Sequence, residues 1–253
     1  MTLGGRLGLT NRFEVEAEVP FVYRSDSTTL SGYCSGSPAM CYTGSQTDAS
    51  GYGLGDIQFG GHYQLNSGAG GWPYFIANLL VKSDTGQSPF DVPINIDTGL
   101  PTVEPTGTGF WAIEPSVTAI YPSDPVVFFL NLRDIYQIPA DVTLQPSKPA
   151  FIAEPTTVHL APGDGIGATF GMGLAINDKA SFSLAYEHTL FLQSTENGAP
   201  IPGSTYDIGD FDLGFAYRLN RRINVNLGIQ IGATKAAPDA AVVLRIPIKF
   251  HVF

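Results

Sequence analysis

Charged side chains recur at every second position of short, strand-like segments in this sequence. Glu14, Glu16 and Glu18, for example, alternate with apolar residues between Phe13 and Val19. A period of two places successive side chains on opposite faces of a β-strand, so each such segment has one apolar and one polar face. The chemistry that this pattern suggests is that of a wall of fixed charges, which interacts with ions and polar solutes.

The same alternation assigns a larger set of charged residues to the polar face. Because both signs of charge are present, the set can line a selective, water-filled path or can fill an interior with ion pairs. The predicted lining residues are Glu14, Glu16, Glu18, Asp56, Lys82, Glu114, Arg133, Glu187, Asp210, Asp212, Arg218, Arg245 and Lys249. Further polar residues predicted on this face are Arg6, Gln58, Gln64, Asn224, Asn226 and Gln230.

The histidines and their neighbours do not favour catalysis or metal binding. The four histidines are scattered, and no pair has the spacing of metal ligands. Ser183, Glu187 and His188 raise the alternative of a membrane-embedded hydrolase, but alternation sends Glu187 and His188 to opposite faces. We therefore expect no enzyme activity, no metal and no cofactor.

The length of the segments and the loops between them indicate that the apolar face lies outside. Segments of about 10 to 13 residues suit a tilted membrane crossing better than a soluble strand. Short turns alternate with long loops, at about residues 25–52, 83–109 and 139–165 and before Phe211, as in outer-membrane barrels. The sequence predicts a single all-β domain over residues 1–253, an antiparallel transmembrane β-barrel of about 12 strands.

Composition excludes other classes of protein. Charged residues are only 14% of the chain, yet no apolar run approaches the roughly 18 to 20 residues of a membrane helix. Thirteen basic residues against 23 acidic ones give a formal charge of −10, which disfavours nucleic acid as a partner. Cys34 and Cys41, in a polar loop, predict a disulfide and an oxidising compartment, the alternative being two free thiols.

The count and direction of the segments predict a strand that precedes this sequence. About eleven alternating segments are visible. If the last one ends in the periplasm, the first and last segments run parallel, whereas bacterial barrels have an even number of antiparallel strands. We therefore expect a further first strand, and a signal peptide, before Met1.

Several short segments, taken in order, resemble a family of bacterial outer-membrane proteins. Leu9–Val15 (LTNRFEV) precedes Val19–Tyr23 (VPFVY), and Gly53–Ile57 (GLGDI) opens a strand that ends in His62–Leu65 (HYQL). Ala237–Asp239 (APD) then leads into the last strand. This order is similar to that of the transporters labelled "MetA-pathway of phenol degradation", found in many Gram-negative bacteria. The missing first strand and Phe253, which falls on the polar face, depart from the family pattern.

The resemblance implies uptake of aromatic or other hydrophobic compounds, with no catalytic residues to carry over. We expect a passive channel in the bacterial outer membrane. Its expected partners are membrane lipid, lipopolysaccharide and a small solute, and a homo-oligomer is an open alternative to a monomer. Inward-folded loop residues would narrow the path: Pro89, Phe90, Pro101, Phe151 and Ile152. The main alternative is a non-conducting barrel with a structural or surface-interaction role, within a larger assembly.

Overall fold

The computed structural model describes residues 1–30, 45–147 and 154–249 of the chain. Cys34 and Cys41 lie outside the described residues, so their disulfide stays a prediction. Phe151 and Ile152, which we expect to narrow the path, and Phe253 also lie outside them.

Almost all of the regular structure in the described residues is β-strand. A short 3-10 turn lies at Ala69–Gly71, and no helix in the described part of the chain is long and apolar enough to cross a membrane. The strands, numbered in chain order, are β1 (Thr2–Gly8), β2 (Phe13–Leu30), β3 (Ser45–Leu54), β4 (Gln58–Gln64), β5 (Tyr74–Lys82), β6 (Ala112–Ser123), β7 (Val126–Gln137), β8 (Ala140–Leu144), β9 (Thr156–Ala161), β10 (Gly165–Ala175), β11 (Ala180–Phe191), β12 (Thr195–Glu196), β13 (Ala199–Pro200), β14 (Tyr206–Arg218), β15 (Asn224–Gly232) and β16 (Ala240–Arg245).

The principal sheet is antiparallel throughout. Its order is β1-β2-β4-β5-β6-β7-β10-β11-β14-β15-β16, and β3 pairs with the far part of β2 as a continuation of β4. This path of eleven strands confirms the predicted number of visible segments. Since neighbours are antiparallel, β1 and β16 run in the same direction.

The apolar face of this sheet is exposed, as a lipid-facing surface requires. Phe170, Leu132 and Phe211 are 61%, 55% and 48% exposed, although large apolar side chains in a soluble sheet are mostly buried. Aromatic residues on neighbouring strands pack along this face, with ring centroids 5.1 Å apart for Phe182 and Phe215. The pattern of exposure therefore agrees with the predicted barrel, whose apolar side faces outward.

The hairpin of β2 and β3 is longer than the sequence pattern predicts. We expect a loop over about residues 25–52, but the paired strands continue past Arg24 and Gly51 to at least Ser27 and Asp48. The prediction is wrong here because it depends on apolar alternation, and backbone pairing beyond the lipid needs no apolar face. Ser and Thr residues in this extension form the backbone hydrogen bonds of the sheet without alternating with apolar residues.

A second sheet forms where the third and fourth long loops are predicted. Its order is β13-β12-β9-β8. Val142 and Val158 of this sheet form a buried cluster with Phe110, and Phe90 packs edge-on against Phe110 at 5.7 Å. The second loop thus packs against the sheet formed by the third and fourth.

The last strand is shorter than predicted. It ends at Arg245, and one further bridge joins Ile248 to Ile223. Pro247, which has no backbone N–H, interrupts the ladder between them. Lys249 therefore lies beyond the strand, where its backbone N–H donates to the carbonyl of Arg222 at 2.8 Å.

Candidate functional site

The strand register places most of the predicted lining residues on the face opposite the exposed apolar residues, which we call the interior face. Residues that are direct partners across a ladder point to the same side of a sheet. Asp56 lies in the connection between β3 and β4, and Lys249 lies beyond β16. The residues on the interior face are Glu14, Glu16, Glu18, Lys82, Glu114, Arg133, Glu187, Asp210, Asp212, Arg218 and Arg245.

A polar network begins on the interior face of β1 and β2. The Arg6 guanidinium contacts Glu14 Oε1 at 3.2 Å and Glu16 Oε2 at 2.6 Å. The other oxygen of Glu16 lies 3.1 Å from His62 Nε2, and His62 Nδ1 lies 2.8 Å from Asn78 Oδ1. The charge of Arg6 is thereby shared between two carboxylates, and the network reaches β5.

The network continues through neutral groups to β7. The Asn78 amide donates to Ser116 Oγ at 3.2 Å and to Thr118 Oγ1 at 3.0 Å. From the opposite side, the Asn131 amide donates to Thr118 Oγ1 at 2.9 Å. Six neighbouring strands of the principal sheet are thus joined by interior side chains, which fixes the rotamers on this part of the wall.

An acidic wall faces inward from the strands that follow. Arg133 donates to Glu187 Oε1, to Thr189 Oγ1 at 2.6 Å and to Thr169 Oγ1 at 3.3 Å. Asp210 lies opposite Glu187 in the ladder. We define the acidic wall as Glu114, Glu187, Asp210 and Asp212 around Arg133.

Carboxylates outnumber cations on the acidic wall. Arg133 is paired with Glu187, while Asp210 is only 2% exposed and its Oδ1 has no hydrogen-bond partner among the described residues. The acidic wall therefore carries more carboxylates than cations on the interior face.

Asp56 anchors the second loop (residues 83–111) to the wall. Its Oδ2 accepts from Lys82 Nζ at 3.0 Å and from the Thr108 N–H and hydroxyl at 2.9 and 2.8 Å, while Oδ1 accepts from the Gly86 N–H at 3.1 Å. Asp56 is 7% exposed. These charge-assisted bonds hold both ends of the loop at one carboxylate.

Glycines on β3 allow the loop to lie against the interior face. Gly51 and Gly53 pair with Arg24 and Val22, so all four face inward. A Cβ at Gly51 would lie 1.9 Å from the carbonyl oxygen of Glu104. The backbone of the loop therefore rests where β3 has no side chain, a close approach that glycine alone allows. The second loop, which carries Pro89, Phe90 and Pro101, thus folds inward at Glu104. That these three residues narrow a path stays a prediction.

A cavity of about 460 Å³ lies between this loop, the wall and the second sheet. We call it the mouth cavity, because it lies at the end of the barrel that carries the long loops. Its apolar lining residues are Pro89, Pro105, Phe110, Leu160, Pro162 and Ile201. Its polar lining residues are Arg24, Thr108, Gln137, Ser194, Ser204 and Tyr206.

A second depression, of about 430 Å³, lies on the opposite side of the wall. Phe13, Phe59, Tyr63 and Leu79 line it, and all of them belong to the outward face. In a membrane this depression faces lipid.

Sequence reasoning missed several residues of the site. Arg24 continues the even-numbered series of Glu14, Glu16 and Glu18. Alternation along a longer β2 would therefore have predicted that Arg24 faces inward. The hydroxyl of Thr108 had no such signal, because it contacts Asp56 from 52 positions away. The positions of the side chains also do not support the hydrolase alternative. His188 lies opposite Gly209 in the ladder and is 3.1 Å from the Tyr186 hydroxyl, on the other face from Glu187.

Fold and site together define an outer-membrane β-barrel with a charged interior and an inward-folded loop. Residues 4–250 match the family described as "Putative MetA-pathway of phenol degradation", and the chain belongs to this family. The resemblance seen in the sequence is thereby confirmed.

Three solved structures of similar fold come from Pseudomonas species. The COG4313 outer membrane channel of Pseudomonas putida F1 is 12% identical with a TM-score of 0.62, over 97% of this chain and 79% of that one. The toluene transporter TodX of Pseudomonas putida is 14% identical with a TM-score of 0.44, over 98% and 73%. A FadL homologue of Pseudomonas aeruginosa is 10% identical with a TM-score of 0.46, over 92% and 60%. The family match, the outward apolar face and the fold shared with the COG4313 channel together place the protein in the bacterial outer membrane.

Proposed function

We propose that this protein is a channel for the passive uptake of small solutes, with a preference for those that have an aromatic or otherwise hydrophobic body. The mouth cavity carries the proposal. Its volume of about 460 Å³ lies in the range of small-molecule sites, roughly 300 to 1,000 Å³. Its apolar lining matches a hydrophobic solute, and its place among the long loops gives access from outside the cell.

Below the mouth cavity, the charged interior supplies the path. Charges of both signs bind water, so a solute that leaves the cavity meets a polar wall rather than a packed apolar core. The partners of the protein in this proposal are the solute, membrane lipid and lipopolysaccharide, and homo-oligomers are compatible with it. We assign no cofactor.

Reconstitution of the purified chain tests the proposal. Planar-bilayer recordings should show steady currents, and liposomes that contain the protein should swell in solutions of small neutral aromatic alcohols faster than empty liposomes. Gly51→Val, which would push the inward-folded loop off the wall, should raise both the single-channel current and the rate of liposome swelling. Neither current nor swelling over many insertions would favour the alternative, a non-conducting barrel whose interior is filled by ion pairs.

A further inference from the structure

Arg24 differs from Lys82 and Arg133, two basic residues of the interior face. Lys82 is paired with Asp56 at 3.0 Å, and Arg133 is paired with Glu187. Arg24 faces inward opposite Gly51 and lines the mouth cavity. Within the described residues, no carboxylate lies within ion-pair distance of its guanidinium.

The groups around Arg24 leave its charge available. Glu104, whose backbone rests on Gly51, forms no ion pair with it in the described part of the chain. Asp56 lies beside the same cavity through Thr108, but Lys82 neutralises its charge and three uncharged donors occupy its oxygens. A guanidinium in this setting has five N–H donors in a fork that matches the two oxygens of a carboxylate.

The rest of the cavity is suited to a flat apolar body. Phe110 and Leu160 provide apolar surface, and Tyr206 stacks on Phe191 with ring centroids 4.8 Å apart. Apolar packing of the body and a bidentate ion pair at one end are independent contributions to affinity. The combination favours an organic anion, because a neutral analogue forms no ion pair with the guanidinium.

We propose that Arg24 makes the mouth cavity a binding site for small aromatic carboxylates, which dock with the ring against the apolar lining and the carboxylate on the guanidinium. The inference rests on the proposed function and names the class of solute that the channel retains at its mouth. It also accounts for a cation at this position in a chain of formal charge −10. Without a local positive charge, the acidic interior would repel an organic anion at the entrance.

Binding to the full chain in detergent micelles tests the proposal. Calorimetric titrations compare benzoate with benzyl alcohol, which has a similar size and no charge. Wild type should bind benzoate about tenfold more tightly or better, and Arg24→Met should abolish that preference while binding benzyl alcohol equally well. Arg24→Lys should keep part of the preference, since it keeps the charge without the fork.

Two controls separate the possible failures. Arg12→Met removes a cation from the first short turn, at the opposite end of the barrel, and should leave both affinities unchanged. Equal affinities in wild type, or an unaltered benzoate preference in Arg24→Met, would overturn the proposal. Liposome swelling with benzyl alcohol is scored separately. Swelling without benzoate preference rejects the anion site alone, whereas benzoate binding without any swelling rejects the channel and keeps the site.

Discussion

Single carboxylates and cations have different tasks on the interior face. Asp56 holds the inward-folded loop, Glu16 joins Arg6 to His62, and Glu187 neutralises Arg133. The role of each residue depends on the groups it contacts. The sequence shows only that each residue is charged, not which groups it contacts. Alternation predicts Glu16, Arg133 and Glu187 on one face, where the strand register also has them. It does not separate anchoring groups from groups that would act on a solute.

Asp56→Asn should release the inward-folded loop without unfolding the barrel. The substitution keeps the shape but removes the charge from four hydrogen bonds, which should cost about 2 kcal/mol locally, or roughly 30-fold in the frequency of opening. Limited proteolysis or hydrogen exchange of residues 83–111 measures it. Asp84→Asn, an exposed change in the same loop, is the control. Equal protection in both variants would show that Asp56 is not the anchor.

Arg133→Glu and Arg245→Glu should each shift the reversal potential in planar bilayers towards cation selectivity. Arg133 is the cation of the acidic wall, and Arg245 has no ion pair among the described residues, so its reversal breaks none. Charge in a narrow interior is screened less than charge on a loop, where the screening length is about 8 to 10 Å.

Lys179→Glu serves as the control for these reversals, because Lys179 lies exposed in a short turn. Its reversal potential should match that of wild type. Currents that respond to neither Arg133→Glu nor Arg245→Glu would contradict the assignment of an open path along the charged face.

Between elements, the decisive contact is that of the inward-folded loop with β3. The register fixes Gly51 and Gly53 on the same face, two residues apart, yet their surroundings differ. A Cβ at Gly51 would lie 1.9 Å from the Glu104 carbonyl oxygen, whereas one at Gly53 would lie 3.6 Å from Thr106 Cγ2. The first contact is sterically impossible and the second is an ordinary van der Waals contact. Substitution of Gly53 is therefore a matched control for substitution of Gly51.

Gly51→Ala should displace the loop and raise single-channel conductance, because residues 104–107 can no longer rest on the wall. Gly53→Ala should conduct like wild type. Bilayer recordings of both variants, each first shown to be folded by gel mobility, provide the measurement. Identical conductance in the two variants would mean that the loop does not limit the current.

The sequence predicts the elements of the wall well and the elements of the loops poorly. A tilted membrane strand must alternate between lipid and interior, so β7 and β10 are readable residue by residue. Beyond the lipid that requirement ends. The extension of β2 and β3 and the pairing of β8 with β9 therefore left no periodic signal.

Contacts between distant segments were equally hidden. Thr108 reaches Asp56 across 52 positions, and Phe110 packs against Val142 and Val158 of the second sheet. A mouth cavity assembled from β2, β7, β14 and three long loops has no local motif. The residue types were visible, whereas their meeting point depends on tertiary packing.

For the molecule as a whole, the exposed apolar face predicts dependence on an apolar solvent. Removal of detergent should cause aggregation, since Leu132, Phe170 and their outward neighbours would meet water. In detergent, the unheated chain should migrate faster on gels that contain dodecyl sulfate than the boiled chain, because ladder hydrogen bonds keep the sheet compact. A monodisperse, soluble chain without detergent would contradict the membrane fold.

The point where the inward-folded loop leaves and rejoins the wall has a consequence for how such proteins diversify. Gly86 and Gly107 touch, since a Cβ on Gly86 would lie 2.6 Å from the Gly107 Cα. The residues between them form a loop whose two ends lie in contact with each other. Insertions, deletions and exchanges within such a loop leave the strand register untouched. Natural variation can therefore alter this loop and the lining of the mouth cavity while the strands that cross the membrane keep their register.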